Sequence, residues 1–322
     1  MTAHVRKATI AEVPILDFTP LNTGDDIGTV AAEMRRACET IGFFYVANHG
    51  VPKEIFDGMF DVTRRYFDVP AAQRAAHPID RRIGRGFMPQ GINQQTGYAA
   101  DIKECFDVGV DLGPDDPSVK AGIPLHGANV WPSDVPWLRP PVEAYFKEVC
   151  EFGKRVTRVL AASLGMPSDF FVQFLKKPMV KMRMVHYPPQ SADDNAFGIA
   201  PHTDYGFLTL LSQDPIGGLE LQKRDGEYIA APFVDNTFVV NIGDLLQRWT
   251  NDVYMSNQHR VINRTGKERF SIPTFFNLDF DALVECVPTC CGPENPAKYE
   301  PITSGQYLLG RYKDVQKLKD TA

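Results

Sequence analysis

Seven short β-runs crowd into the stretch 180–279, and their spacing limits the chain more than any other feature. They are 181–187 (KMRMVHY), 206–213 (GFLTLLSQ), 218–222 (GLELQ), 228–231, 237–242, 258–263 and 269–277. Each is bounded by turn signals such as Asp214-Pro215 and Gly217-Gly218. Many short strands at turn-delimited intervals close on themselves as a sandwich or barrel rather than forming an open parallel sheet.

The segments before this region read differently. Residues 14–18 (PILDF) form a strand candidate, and Val30, Met34, Ala37, Cys38 and Ile41 recur at helical spacing over about 28–40. An apolar run at 42–48 (GFFYVAN) and a second helical pattern over 52–67 complete a βαβα opening. Residues 70–138 turn to Gly, Pro, Asp and Asn, interrupted by a strand-like 105–110, and this texture predicts loops that wrap a scaffold and line a binding mouth. A long amphipathic helix is predicted over about 141–164, with Val142, Tyr145, Val149, Val156 and Leu160 on one stripe and Gly165-Met166-Pro167 after it. A closing helix is predicted over 306–318.

Within the β-rich region, His202 and Asp204 lie two residues apart, and His259 follows. Two imidazoles and one carboxylate hold a divalent metal on one face and leave the other open, the arrangement of non-haem Fe(II) oxygenases. With seven histidines and 40 acidic residues among 322, about one His-x-acid pair is expected by chance, so the motif draws its weight from its β-rich context. Ten residues beyond His259, Arg269 and Ser271 are again two apart. On a strand that spacing aims a guanidinium and a hydroxyl at one face, a clamp for a carboxylate.

Charge and cysteines narrow the function classes. A formal charge of -6 argues against a general polyanion binder, so no nucleic-acid partner is expected. The basic pairs Arg64-Arg65, Arg81-Arg82 and Lys176-Lys177 are flanked by acids and read as solvated faces. No apolar run reaches the roughly 20 residues of a membrane span, and residues 1–14 lack a secretory apolar stretch, so a cytoplasmic protein without a membrane partner is expected. The six cysteines show no CxxC spacing and read as reduced thiols.

Seven ordered blocks are specific enough to name a family. GFFYVANHGVP (42–52), MVHYPPQ (184–190), PHTDYGFLTLL (201–211), GGLELQ (217–222), VVNIGDLLQRWTND (239–252), NQHRVIN (257–263) and RFSIPTFF (269–276) resemble the isopenicillin N synthase-like family of Fe(II)/2-oxoglutarate oxygenases. The resemblance implies a mainly β fold with flanking helices around a distorted double-stranded β-helix, or jelly roll. It implies an N-terminal α/β region at 1–139 packing on the core, backing helices at 140–178, the oxygenase core at 179–280 and a C-terminal loop and helix at 281–322. His202, Asp204 and His259 become the expected catalytic iron ligands. Arg269, Ser271 and Tyr187 become the expected holders of the distal carboxylate of 2-oxoglutarate. His49 and His186 are read as structural.

The implied activity is an Fe(II)- and 2-oxoglutarate-dependent dioxygenase that uses O2, with ascorbate as an accessory reductant. It would hydroxylate a small-molecule substrate and release succinate and CO2. Where plant members often carry Asn two residues before the tyrosine, this chain has Val185. The Arg-x-Ser pair also occurs in relatives without 2-oxoglutarate, so alternatives stand beside this reading. They are an oxoglutarate-independent oxidase of the isopenicillin N synthase or aminocyclopropanecarboxylate oxidase type, a short 2-oxo acid oxidase, and a non-catalytic jelly-roll binding protein. Residues 85–90, 103–106, 276–277 and the C-terminal helix are the expected substrate-pocket segments. The substrate and the oligomeric state are left open.

Overall fold

In the computed structural model, which describes residues 5–92, 97–190 and 196–320, two sheets face one another. The strands in chain order are β1 (Ile15–Asp17), β2 (Phe43–Ala47), β3 (Gly86–Met88), β4 (Glu104–Gly109), β5 (Lys181–Tyr187), β6 (Ile199–His202), β7 (Leu208–Gln213), β8 (Leu219–Gln222), β9 (Tyr228–Ala230), β10 (Phe238–Ile242), β11 (His259–Val261) and β12 (Arg269–Phe276). Eight form a large sheet in the order β1-β2-β10-β7-β12-β5-β4-β3, and four form a smaller one in the order β6-β11-β8-β9. This is the expected jelly roll with flanking helices. The ends of the expected outer regions, residues 1–4 and 321–322, lie outside the described residues.

The large sheet is apolar on both faces because each face has its own cover. In β2, Phe44 and Val46 join the helix-side core, whereas Phe43 and Tyr45 point between the sheets, the period-two alternation of a strand. The helices Gly28–Thr40, Lys53–Phe67 and Arg139–Ser163 supply the outer cover. Burial of Phe56, Met59, Phe60, Thr63, Tyr66 and Phe67 at i, i+3 and i+4 spacing explains the seating of the second. Its Glu54 in the first turn and Arg64 and Arg65 in the last also suit the helix dipole. The third starts two residues earlier than predicted, since Pro140 and Pro141 fit a first helical turn that needs no N–H partners.

The N-terminal region does more than pack outside. Its strands β1 to β4 extend the large sheet at both edges, and β1 runs parallel to β2 through the crossover helix Gly28–Thr40. Gly42, at φ +69°, closes that crossover, and a Cβ there would meet the Met255 carbonyl oxygen at 2.1 Å. Among the described residues, no helix is long and apolar enough to cross a membrane.

Candidate metal centre and carboxylate clamp

The small sheet places both histidines. His202 ends β6, His259 begins β11, and the two are direct partners in the antiparallel register, with ring centroids 4.3 Å apart. Asp204 follows two residues after the strand. One ligand atom from each of the three lies within 4.8 Å of the others. His202 Nε2 is 3.8 Å from Asp204 Oδ1, and His259 Nε2 is 3.9 Å from Oδ2.

The surroundings prepare these atoms for a cation. His202 Nδ1 lies 2.9 Å from the Ala200 carbonyl and His259 Nδ1 lies 3.2 Å from that of Asn257, so each ring donates through Nδ1 and presents a bare Nε2. Burial, reinforced by His259 next door, pushes the His202 imidazole well below its ordinary range, which favours the neutral ring. Burial would push Asp204 up. The two imidazoles and hydrogen bonds from Thr209 Oγ1 (2.6 Å) and Asn241 Nδ2 (2.8 Å) outweigh it and hold the carboxyl below its ordinary range. Two imidazoles that present Nε2 and a carboxylate are a donor set that fits Fe(II).

The clamp residues converge in the large sheet. Arg269 pairs with Tyr187 across β12 and β5, and its guanidinium carbon lies 4.5 Å from the Tyr187 ring centroid. Ser271 Oγ donates to the Tyr187 hydroxyl over 3.4 Å. Arg269 is 0% exposed; its Nε donates to the Gly217 carbonyl, but Nη1 and Nη2 have no partner among the described residues. The neighbouring Asp214 acts on it through space but makes no hydrogen bond to it among the described residues; its oxygens accept the backbone N–H groups of Phe270 and Ile216. A buried guanidinium left unpaired is costly, so this end of the barrel is built for an incoming carboxylate.

Gly218 makes the approach of this arginine to the turn workable. It sits at φ +90°, where an L side chain is strained, and a Cβ would press on the Ile262 carbonyl oxygen at 2.7 Å.

His186 and His49 have partners of their own. His186 Nδ1 lies 2.9 Å from Glu104 Oε1 and its ring stacks on Phe270. His49 accepts the Val51 N–H and packs against Phe56 and Phe238.

A cavity of about 280 Å³ is lined by none of the three metal ligands but reaches the segment that carries Asp204: its lining residue Asn277 accepts the Phe207 N–H at 2.9 Å, and the ring of its lining residue Tyr312 lies 6.1 Å from that of Tyr205. Arg85, Met88 and Asn277 line it, as the expected pocket segments anticipate, together with Leu308 and Tyr312 of the closing helix, which spans Ser304–Asp320. Two expectations need correction: Phe276 points into the helix-side core instead, and none of residues 103–106 lines the cavity, Cys105 and Phe106 being buried in the two cores. Arg81, exposed as its reading as part of a solvated face requires, also borders the cavity. Sequence reasoning passed over Lys181, Arg183 and Asp107, because charged residues alternating along otherwise apolar strands normally face solvent. Lys103, within an expected segment, is buried and pairs with Asp101 at 3.0 Å; Asp101 in turn accepts the Ala200 N–H of the ligand-bearing strand β6.

Residues 178–278 match the model of the 2OG-Fe(II) oxygenase superfamily, and residues 13–134 match that of the non-haem dioxygenase N-terminal region described from morphine synthesis. The chain is 36% identical to the 2-oxoglutarate-Fe(II) type oxidoreductase hxnY of Emericella nidulans, over 93% of this chain and 89% of that one. It is 39% identical to the 2-oxoglutarate-dependent dioxygenase caaD of Aspergillus niger, over 79% of each. Among solved structures, a full-length Neurospora crassa protein in complex with alpha-KG and 5-formyluracil superposes with a TM-score of 0.82 at 28% identity, covering 93% of this chain and 95% of that one. A 2OG-Fe(II) oxygenase family protein from Caulobacter crescentus gives 0.85 at 28% identity, with 94% and 99% covered.

Proposed function

Because the chain belongs to the 2-oxoglutarate–Fe(II) oxygenase superfamily, we propose that His202, Asp204 and His259 hold its iron and that Arg269, Ser271 and Tyr187 hold the far carboxylate of 2-oxoglutarate. The protein is an Fe(II)- and 2-oxoglutarate-dependent dioxygenase that oxidises a small molecule with release of succinate and CO2. Hydroxylation is the outcome we assign. The observation that carries the residue roles is Arg269, a fully buried guanidinium with both terminal nitrogens unpartnered among the described residues.

Iron and 2-oxoglutarate, when bound, supply the activation of O2 that an unaided protein lacks. The chain's own residues position and insulate. Arg269 offers two parallel N–H donors, and Ser271 and Tyr187 offer hydroxyls 3.4 Å apart that can turn toward the same anion. Thr209 and Asn241 fix the Asp204 carboxylate, so the metal face does not reorganise during turnover. The closing helix is tied to the segment that carries Asp204: the Arg311 guanidinium lies 4.6 Å from the Tyr205 ring centroid and pairs with Asp244 at 3.0 Å, and Asp244 N–H donates to the Asp204 carbonyl at 2.7 Å.

The same reading divides the chain into 1–139, 140–178, 179–280 and 281–322, supported by two family matches that fall within the first and mostly within the third. It places the enzyme in the cytoplasm, acting on a small molecule without nucleic acid or membrane, supported by the net charge of -6 and the lack of any long apolar helix among the described residues.

The test is anaerobic addition of 2-oxoglutarate to the Fe(II)-loaded protein, followed by its visible charge-transfer band. A band weakened by Arg269→Ala is expected. A band of unchanged strength in that variant would overturn the clamp, and no band despite bound iron would overturn 2-oxoglutarate as the ligand.

A further inference from the structure

Resting on the oxygenase reading for its place beside the metal, we propose that the primary substrate is an organic acid whose carboxylate is seated between Arg85 and Lys181, with its apolar body lying toward the iron. The evidence is a local imbalance of charge. Arg85, Lys181 and Arg183 all line the cavity, and among the described residues Asp107 is the one carboxylate within ion-pair distance of any of them. Arg183 consumes that carboxylate: its Nε and Nη2 donate to Oδ1 and Oδ2, both at 2.7 Å. Lys181 Nζ is left 3.7 Å from Asp107 Oδ2, beyond hydrogen-bonding reach.

Arg85 has no acid of its own among the described residues. It is 4% exposed, its Nη1 donates to the carbonyls of Ile83 and Gly84, and its Nε is buried without a partner. Its guanidinium lies flat against Gly109, where a Cβ would come within 2.1 Å of Nη2 and 2.4 Å of Nε. A cation held in that slot, short of a counter-charge, favours an anion that enters from the cavity. Burial, with Arg183 and Arg85 nearby and in spite of Asp107, also pushes the Lys181 ammonium down to about 8, and an incoming carboxylate would relieve it.

The position separates this site from the oxoglutarate clamp and joins it to the metal. Lys181, Arg183, Val185 and Tyr187 alternate onto the inner face of β5, so Arg183 and Tyr187 are roughly 13 Å apart along the strand. Phe275 lies under both cations, 5.2 Å from Lys181 Nζ and 5.8 Å from the Arg183 guanidinium carbon. Phe275 is the register partner of Thr209, which holds the metal ligand Asp204. Ile83, Met88, Met179 and Leu308 add apolar wall, with Arg81, Asn277 and Tyr312 as further polar lining, and about 280 Å³ is at the small end for ligand pockets. The occupant this describes is a small monocarboxylic acid with an aliphatic or aromatic body.

The experiment uses iron-loaded protein, anaerobically, with a panel of monocarboxylates (3-phenylpropanoate, 4-phenylbutanoate, hexanoate, octanoate) and their primary amides. Binding is read by calorimetry, and the oxoglutarate charge-transfer band is recorded on the same samples. We expect at least one acid to bind tenfold or more tightly than its amide, and that preference to be lost in Lys181→Met and in Gly109→Ala, which displaces Arg85 without removing it. Amides that bind as well as acids, no binding by any acid, or an acid preference that survives both variants would overturn the proposal. Acid-selective binding without an oxoglutarate band would leave the anion site standing and overturn the oxoglutarate reading. A band without acid preference would do the reverse.

Discussion

Thr209 donates its hydroxyl proton to Asp204 Oδ2 over 2.6 Å, from the large sheet to the loop that follows β6 in the small one. Asn241, its register partner on β10, donates to the same oxygen at 2.8 Å, so Oδ1 is the oxygen left for a metal. Removing one such outer contact typically weakens metal binding about 10- to 100-fold. Thr209→Val keeps the shape and deletes the hydroxyl. Titration with Mn(II), followed by electron paramagnetic resonance, should show about tenfold weaker binding; unchanged affinity would mean that Asn241 alone orients the carboxylate.

A second prediction concerns the clamp. Ser271 and Tyr187 hydroxyls bond one another weakly at 3.4 Å, whereas a hydrogen bond to a charged group is worth about 1.5–3 kcal/mol. Ser271→Ala should therefore weaken 2-oxoglutarate about tenfold. Arg269→Lys should weaken it more, about a hundredfold, because an ammonium cannot reproduce the planar fork. Equal losses in the two variants, measured by calorimetry on the metal-loaded protein, would contradict the two-pronged geometry.

The pairs His202 with Asp204 and Arg269 with Ser271 stand out in the sequence because each is two residues apart on or beside a strand, whereas Tyr187 is joined to the second pair only by the family resemblance and His259 lies 55 residues beyond Asp204. The strand carrying His202 does not stand out. Its four residues, Ile199–His202, include Pro201 and hold strand geometry through pairing with β11, a long-range contact that no local pattern encodes. Strand β3 is hidden for a similar reason, being three residues that begin with Gly86 at φ +113°. The cation-lined cavity is illegible for another. Lys181 and Arg183 come from β5, Asp107 from β4 and Arg85 from the loop before β3, and only the sheet order brings them together.

Gly153 offers a test of the packing that holds the site up. It lies inside the 25-residue helix Arg139–Ser163, where Ala would ordinarily gain about 1 kcal/mol. Here a Cβ would come within 2.4 Å of the Phe276 ring, which is fully buried in β12 and has no room to retreat. Overpacking of this kind costs about 1–3 kcal/mol, so it should outweigh the propensity gain. Gly153→Ala should lower stability in urea by about 1 kcal/mol. A stabilised variant would show that Phe276 can yield.

His49 should set part of the acid limit of stability. It is 1% exposed, and burial, aided by the nearby Arg155, pushes its imidazole down to about 4 from an ordinary 6.5. The folded protein therefore keeps His49 neutral while the unfolded chain takes up a proton as pH falls below about 6.5. Stability contributed by the neutral ring is present in full above that value and lost progressively down to about 4, by about 3 kcal/mol for a shift of this size. His49→Asn retains an acceptor for the Val51 N–H but does not titrate. The variant should start less stable at about pH 7.5, and its loss between about pH 6.5 and 4.5 in urea unfolding should be smaller than that of the wild type by about 2–3 kcal/mol. Parallel pH profiles would assign the acid sensitivity to the carboxylates instead.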